Sequence, residues 1–463
     1  MPYNVIKTSN NRIGQYLLRK LIIHYRESIW FLPSLFIVGA ILCAIVITRI
    51  DIIFQEQFYN FFPSFLLTSV ELARSILSVI ATSLLTMTAI TFSTIMIVFS
   101  VYSSQFSPRT LQNFISDRLT QIVLGIFIAG FTYSIVSLLL IREIGPGTVV
   151  FSAVFGIGLS LVCIGYFIRF IQYITVSIQV NNLIEELNDE IFNTLKKNIK
   201  EIEDIEKNGK VLTGVSDGII NMQKDNPYRI FAPKAGHIQL FGLKGLIRLA
   251  AENDSIIETT KRVGDYVTES TPAFIVWNIS DDKENKEKIE SSIKKYISIG
   301  NYRNTAQDID FSLQKLEEIA LRAISPGIND PNTAILCIRN LGNILSGICN
   351  SYTGRLYFYD NDNNLRLILD NKDFEEILYS TFYKLLNFSR NQISILSSIL
   401  EAILIISERK NSKLNGILFG FSQYAINGFN KELLQPYDIK YLNIKLKRIA
   451  EYLDIEGSEI IIK

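Results

Sequence analysis

The 463-residue chain combines 48% hydrophobic and 11% aromatic residues with 20% charged ones, and its mean hydropathy is +0.23. Neither a wholly soluble protein nor a bare membrane anchor carries both figures, so part of the chain belongs in a bilayer and part in water. A formal net charge of +1, with no basic stripe carrying interleaved aromatics, excludes a dedicated nucleic-acid binder, and four cysteines without CxxC spacing exclude a disulfide scaffold.

Residues 1–27 carry Lys7, Arg12, Arg19, Lys20 and Arg26 against the single acid Glu27 and read as a basic amphipathic helix on the inner membrane face. Residues 28–170 read as a domain of four transmembrane helices. Span one runs from Ser28 to Thr48, with Trp30 and Phe31 as interfacial anchors, and its long apolar run argues for an uncleaved first span. The aromatic-rich stretch Arg49 to Arg74 is too interrupted to cross and is expected to lie at the far interface.

Span two contains a 34-residue run, Ser75 to Pro108, without Asp, Glu, Lys, Arg or His. As a helix it reaches roughly 50 Å, well beyond the ~30 Å hydrocarbon core of a bilayer. Ser75, Ser78, Thr82, Thr86, Ala89, Ser93, Ser100 and Ser104 recur close to a 3.6-residue period and form one small, hydroxylated stripe. Two readings stand: the stripe lines a water-filled path in an oligomer, or its hydroxyls bond their own backbone and let helices pack closely. Ile90, Ile97 and Val101 are the residues that could form a dewetting constriction beside it. Gln105, Arg109 and Arg118 would ring the cytoplasmic mouth and favour anions there, with Ser107-Pro108 opening a short surface helix to Arg118.

Span three is expected over Leu119 to Ile141 and span four over Thr148 to Ile168, with Gly125, Ala129, Gly130, Ser152, Gly156 and Ser160 as packing positions. Lysine and arginine are concentrated before span one, between spans two and three, and after span four. This places the N-terminus and everything after Arg169 in the cytoplasm and the protein in the inner membrane.

Residues 171–208 show a helical repeat through Ile174, Ile178, Leu183, Leu187, Ile191 and Leu195. They read either as a stalk continuing span four or as an ordinary amphipathic helix on its own domain. Residues 209–283 read as a small β-rich module resembling the half-barrel of biotinyl/lipoyl-like domains. Lys244 there stands at a helix start and not at a hairpin tip, so no carrier lysine is assigned. Residues 284–463 read as a mainly helical cytoplasmic domain with a hairpin near 356–369. Asp360, Asp362 and Asn364 resemble a calcium loop but lack its glycine and terminal glutamate, and no metal or cofactor is assigned. Between two helices, Ser325-Pro326-Gly327-Ile328-Asn329-Asp330-Pro331-Asn332-Thr333-Ala334 reads as a stiff corner. Gly327 is expected to supply a positive φ, Asp330 the cap and Pro331 the first helical position. Arg322 is placed to pair with Asp330 or Asp308. Thr305, Asp308, Arg322, Pro326, Gly327, Asn329, Asp330 and Thr333 therefore form a clamp or a binding site. The expected fold is an α-helical polytopic membrane domain followed by an α+β cytoplasmic region with a small β-barrel-like module and a C-terminal helical domain.

Through Ser107-Pro108-Arg109, Arg303-Asn304-Thr305-Ala306-Gln307-Asp308 and the long corner string, the chain resembles the predicted bacterial membrane proteins of domain-of-unknown-function family 2254. The resemblance covers nearly the whole chain and implies topology, not activity. Asn304 stands where that family usually has arginine.

Only two histidines, His24 and His237, occur, and HExxH and Walker A patterns are missing. The chain is therefore not expected to be an enzyme, although Asp308 and Asp330 are the carboxylates a cytoplasmic-face enzyme would use. The leading expectation is an oligomeric inner-membrane channel or channel-like protein. Its partners would be the bilayer, other copies of itself and inorganic ions, and its cytoplasmic domain would regulate or assemble it. The alternative is a membrane-anchored, partner-binding scaffold without conduction.

Overall fold

The computed structural model describes residues 31–53, 68–106, 109, 118–142, 149–177, 179–207, 209–213, 225–350, 354–455 and 462. The basic leader, the aromatic stretch 54–67, the Ser107-Pro108 cap and the surface helix expected after it lie outside the described residues, apart from Arg109 in a turn. The chain divides into two compact units, Met1–Asn182 and Leu183–Lys463.

In the first unit, α1 (Phe31–Ile53), α2 (Val70–Val101, continued by a π turn over Tyr102–Phe106), α3 (Arg118–Leu140) and α4 (Ser152–Ser177) are each long and apolar enough to cross a membrane. Their ends differ from the hydropathy boundaries. α1 runs past Arg49 and Asp51, α2 starts before Arg74, and α4 continues past Arg169, because helices do not stop where the hydrocarbon does.

α3 is the most buried of the four, 44% of its apolar window against 17–22% for the others. It is the helix around which α1, α2 and α4 pack. Glycines make that possible. A Cβ on Gly130 would stand 2.7 Å from Leu84 Cδ1 and 3.2 Å from Cys163 Sγ, and one on Gly156 would stand 2.9 Å from Leu77 Cδ2. Close helix approach supplies the packing energy that hydrophobicity cannot supply between helices in lipid.

One end of this unit is tied by polar contacts. β1 (Thr68–Ser69) pairs antiparallel with β2 (Val149–Val150). The Asp51 carboxylate accepts from the backbone N–H of Phe151 (2.8 Å) and Ser152 (3.2 Å), and Arg74 donates to the Ile141 carbonyl (3.2 Å). Asp51 thus satisfies donors that the start of α4 would otherwise leave unpaired.

The second unit takes in most of α5 (Val180–Glu206). Where one continuous stalk from span four was one reading, α4 ends at Ser177 and α5 is a new helix. Its apolar face, Leu183, Ile184, Leu187, Ile191 and Leu195, is buried. Then follow β3 (Lys210–Thr213), β4 (Tyr228–Phe231), β5 (Gly236–Phe241), α6 (Leu243–Glu252), β6 (Ile256–Thr259), β7 (Tyr266–Val267), β8 (Pro272–Trp277), α7 (Lys283–Ile293) and β9 (Ile297–Gly300). After them come α8 (Ile309–Ala323), α9 (Pro331–Ile348), β10 (Leu356–Tyr359), β11 (Leu365–Leu369), α10 (Phe374–Phe388), α11 (Ile393–Ser407), α12 (Asn415–Asn427) and α13 (Pro436–Leu453).

The barrel-like module is not what these strands build. They form a six-stranded open sheet, β3-β10-β11-β6-β8-β4, and a separate three-stranded sheet, β7-β5-β9. β10 and β11 are an antiparallel hairpin, and β11 pairs in parallel with β6 through Leu367 and Ile257. The larger sheet therefore takes strands from both sides of the 283/284 boundary expected from the sequence. Its core, with Ile230, Phe241, Leu246, Phe274, Phe358 and Leu367, is continuous across that boundary. Lys244, near the start of α6, pairs with Asp204 at 3.4 Å.

Candidate functional site

The hydroxylated stripe is a real face of α2. At about 100° per residue its seven Ser and Thr positions from Ser75 to Ser104 fall within an arc of about 80°. The buried residues Ala73, Leu77, Ala81, Leu84, Thr91, Ile95 and Val98 lie on the opposite side, against the rest of the unit. Ser75, Ser78, Thr82, Thr86, Ser93, Ser100 and Ser104 are all exposed on the single chain. None is tucked against the other crossings. Thr82 Oγ1 donates to the Ser78 carbonyl at 3.0 Å, Thr86 Oγ1 to the Thr82 carbonyl at 3.0 Å, and Ser104 Oγ to the Val101 carbonyl at 3.2 Å. Backbone bonding of this kind lets a hydroxyl sit in apolar surroundings at little cost while its second lone pair stays available.

Ile90 and Ile97 are 50% and 63% exposed and border the same face, whereas Val101 is half-buried at its edge. Gln105 is in the π turn that ends α2, Arg109 is exposed in the following turn, and Arg118 is exposed at the start of α3.

The second unit gathers the other sequence candidates into two places. In the first, Asp308 caps α8 by accepting from Phe311 N–H at 3.0 Å, and both its oxygens accept from Arg303 at 2.7 and 2.8 Å. Gly264 allows this closeness, since a Cβ there would lie 2.5 Å from Asp308 Oδ2. Burial pushes the Asp308 carboxyl up from the usual range, and the Arg303 guanidinium pulls against it. Thr305 Oγ1 donates to Glu190 on α5, and Lys315 Nζ, 3% exposed, lies 3.3 Å from the same carboxylate. Burial lowers the Lys315 ammonium from the usual lysine range, and Glu190 and Glu186 oppose that shift. Gln307 reads both backbone groups of Phe241, at 3.0 and 3.2 Å. This network joins α5, β5 and α8, and every polar group named in it has a partner. Its geometry is that of a clamp.

The second place is the corner between α8 and α9. Asp330 caps α9, accepting from Thr333 N–H at 3.2 Å and Thr333 Oγ1 at 2.6 Å, with Pro331 in the first turn. The left-handed residue is Asn329 at φ +51°, and Gly327 carries no positive φ. The short amide side chain of asparagine tolerates that region, so the left-handed residue stands two positions later than a turn on Gly327 would put it. Pro326, Gly327 and Asn329 are exposed, and Ile328 is 40% exposed. Arg322 stands one turn before the corner, on α8. Asp308 and Asp330, the two carboxylates considered for catalysis, each serve as a helix cap. In the 360–364 turn, Asp360 accepts from Asp362 and Asn364 N–H and from Arg366, which leaves it occupied within the protein.

A family model described as a predicted membrane protein, domain of unknown function 2254, matches residues 26–404. The chain belongs to that family. Among curated relatives, uncharacterised proteins of Mycobacterium tuberculosis and Mycobacterium bovis are 27% identical over 339 residues, covering 71% of this chain and 62% of theirs. The chain thus spans less than two thirds of the length of the relatives it matches. No solved structure matches it.

Sequence reasoning missed Asp51 as the cap of α4, because its partners lie about a hundred residues away. It also missed the pairing of Lys315 with Glu190 and an open groove between α10 and α12 lined by Tyr379, Phe421 and Tyr424. The i, i+4 spacing of Tyr379 and Tyr383 was the one available signal for the groove.

Proposed function

We propose that this membrane protein assembles with copies of itself so that the hydroxyl faces of several α2 helices meet around a shared path, forming a channel or channel-like pore. The second unit then acts as a cytoplasmic regulatory or assembly domain. The observation that carries this reading is the outward direction of Ser75, Ser78, Thr82, Thr86, Ser93, Ser100 and Ser104, opposite the buried face of the same helix. A span that turned only to lipid would gain nothing from seven hydroxyls in register, whereas an oligomer axis uses them. Ile90 and Ile97 provide apolar rings that dewet when narrow, and Arg109 and Arg118 bias the cytoplasmic mouth toward anions. The excess of lysine and arginine before α1 and after α4 supports a cytoplasmic N-terminus and second unit at the inner membrane. The reading assigns the protein no catalysis and no cofactor.

The test is single-cysteine substitution at Thr82, Thr86 and Ser93 in protein held in vesicles. A pore predicts modification by a membrane-impermeant thiol reagent, cross-links between copies at the same positions, and ion flux that Thr82→Leu with Thr86→Leu alters. Cross-links without reagent access or flux would leave a membrane-anchored scaffold packed through this face. Neither cross-links nor access would place the face in lipid and remove the pore.

A further inference from the structure

A second feature, in the helical part of the second unit, is independent of the membrane helices. α10 and α12 diverge to leave an open groove of about 520 Å³, lined on one side by Glu375 and Tyr379 and on the other by Gly416, Gly420, Phe421 and Tyr424. A Cβ on Gly416 or Gly420 would touch nothing within 4 Å, so at these two positions the α12 wall is backbone facing open space.

The aromatic rings are arranged as adjoining walls. Tyr379 and Tyr424 have centroids 5.8 Å apart at 48°, and Phe421 and Tyr424 are 5.6 Å apart at 42°. Tyr383 stacks behind Tyr379 at 5.2 Å and 8°, which fixes that ring although it is 49% exposed. Lys384 already holds its ammonium 5.4 Å from the Tyr383 ring centre, so this aromatic group accepts a cation on one of its faces.

Charge points the same way. The groove carries three carboxylates and, among the described residues that line it, no lysine or arginine. Two of the three are committed: Asp373 caps α10 by accepting from Glu376 N–H at 2.8 Å, and Glu376 is bonded to Arg262 at 2.8 Å. The Glu375 carboxylate, one turn before Tyr379, makes no hydrogen bond or ion pair among the described residues. Arg390, the nearby cation on the Tyr424 side, donates to Asn387 at 2.7 Å.

We propose that this groove binds an organic cation, an alkylammonium or a guanidinium carried on an apolar body. Tyr379, Phe421 and Tyr424 receive the body and the diffuse positive charge, and Glu375 faces the head. Tilted electron-rich rings attract such cations because these ions are weakly hydrated and the ring faces are negative. A compact inorganic cation would keep its water and gain little here. A neutral apolar ligand would leave Glu375 unused.

The experiment uses the full-length protein in lipid nanodiscs at constant ionic strength. It is titrated with choline, with N-acetylarginine amide, and with 3,3-dimethylbutan-1-ol, the uncharged isostere of choline, and binding is read by saturation-transfer NMR. Saturable binding of at least one cation is expected, with the alcohol weaker by roughly tenfold. Tyr379→Leu and Tyr424→Leu should each weaken the cation by about three- to thirtyfold, with thermal midpoints close to the parent because both rings are partly exposed. Glu375→Gln should weaken it by about two- to fivefold, the range of an exposed charge pair. Tighter choline identifies a free quaternary ammonium as the natural class, and tighter arginine identifies a basic side chain; both support the site. The proposal is overturned if the alcohol binds as well as choline, if neither cation binds, or if the leucine variants bind like the parent.

Discussion

Asn329 and Asp330 carry the corner of the second unit between them, one by its backbone and the other by its side chain. Because Asn329 holds φ +51° while Gly327 has no positive φ and open space around it, the two positions should respond oppositely to alanine. Asn329→Ala is expected to cost about 1 kcal/mol, the penalty for a Cβ in the left-handed region, whereas Gly327→Ala should be neutral or slightly stabilising. Denaturant unfolding of the detergent-solubilised protein reads both. Asp330 adds a pH dependence. Its bonds to Thr333 hold the carboxyl below the usual aspartate range, against a smaller opposing effect of burial. A folded value below the unfolded one means that the unfolded chain binds the proton more readily. The cap's contribution is thus full above about pH 4, near the unfolded value, and lost as pH falls through the lower folded value. Asp330→Ala should cost about 1 kcal/mol at neutral pH. Asp330→Asn, which still caps, should cost less there and remove this part of the acid sensitivity, as melting curves between about pH 3 and pH 7 would reveal.

At the scale of elements, the four long apolar helices were legible because a soluble core helix rarely sustains an 18-residue apolar window, least of all in a chain that is one-fifth charged. Their ends were not, since hydropathy marks the bilayer and not the last hydrogen bond. The hydroxyl periodicity of α2 could be read directly, but its direction could not, because a stripe looks the same whether it faces its own chain or away from it. The barrel-like module failed for a different reason. Strand propensity is local, whereas the pairing of β6 with β11 joins segments about 110 residues apart, and no local pattern announces such a partner. Close helix approach was also hidden. A Cβ on Gly342 of α9 would stand 2.7 Å from the Cα of Ala402 on α11, which is backbone and cannot rotate aside. Gly342→Ala is therefore expected to separate the two helices and lower stability by about 1–3 kcal/mol. A lower unfolding midpoint in detergent would bear this out, and an unchanged one would mean that the helices slide apart freely.

Across the whole molecule, the family match ends at residue 404, inside α11, while the packing does not. α13 buries Leu442, Leu446, Ile449 and Leu453, and its Lys445 bonds Glu401 at 3.0 Å and the Ser397 carbonyl at 3.1 Å, both on α11. Ending the chain after Asn411 would uncover that face of α11, on which the buried Leu400 and Leu404 lie beside Ser397 and Glu401. Such a truncation should aggregate or be degraded in place of yielding a monodisperse protein, as size-exclusion chromatography would report. By itself, the sequence marked the chain as a membrane protein, located the four described helices that are long and apolar enough to cross, and placed helix caps such as Asp330. Those features follow from hydrophobicity and short-range bonding within a few residues. Only the tertiary structure decided that Asp51 caps a helix a hundred residues on, that two open sheets replace a barrel, and that the hydroxyls of α2 turn away from their own chain. Each of these depends on which distant surfaces meet, and meeting is governed by shape and by the pairing of buried polar groups, which no local window contains.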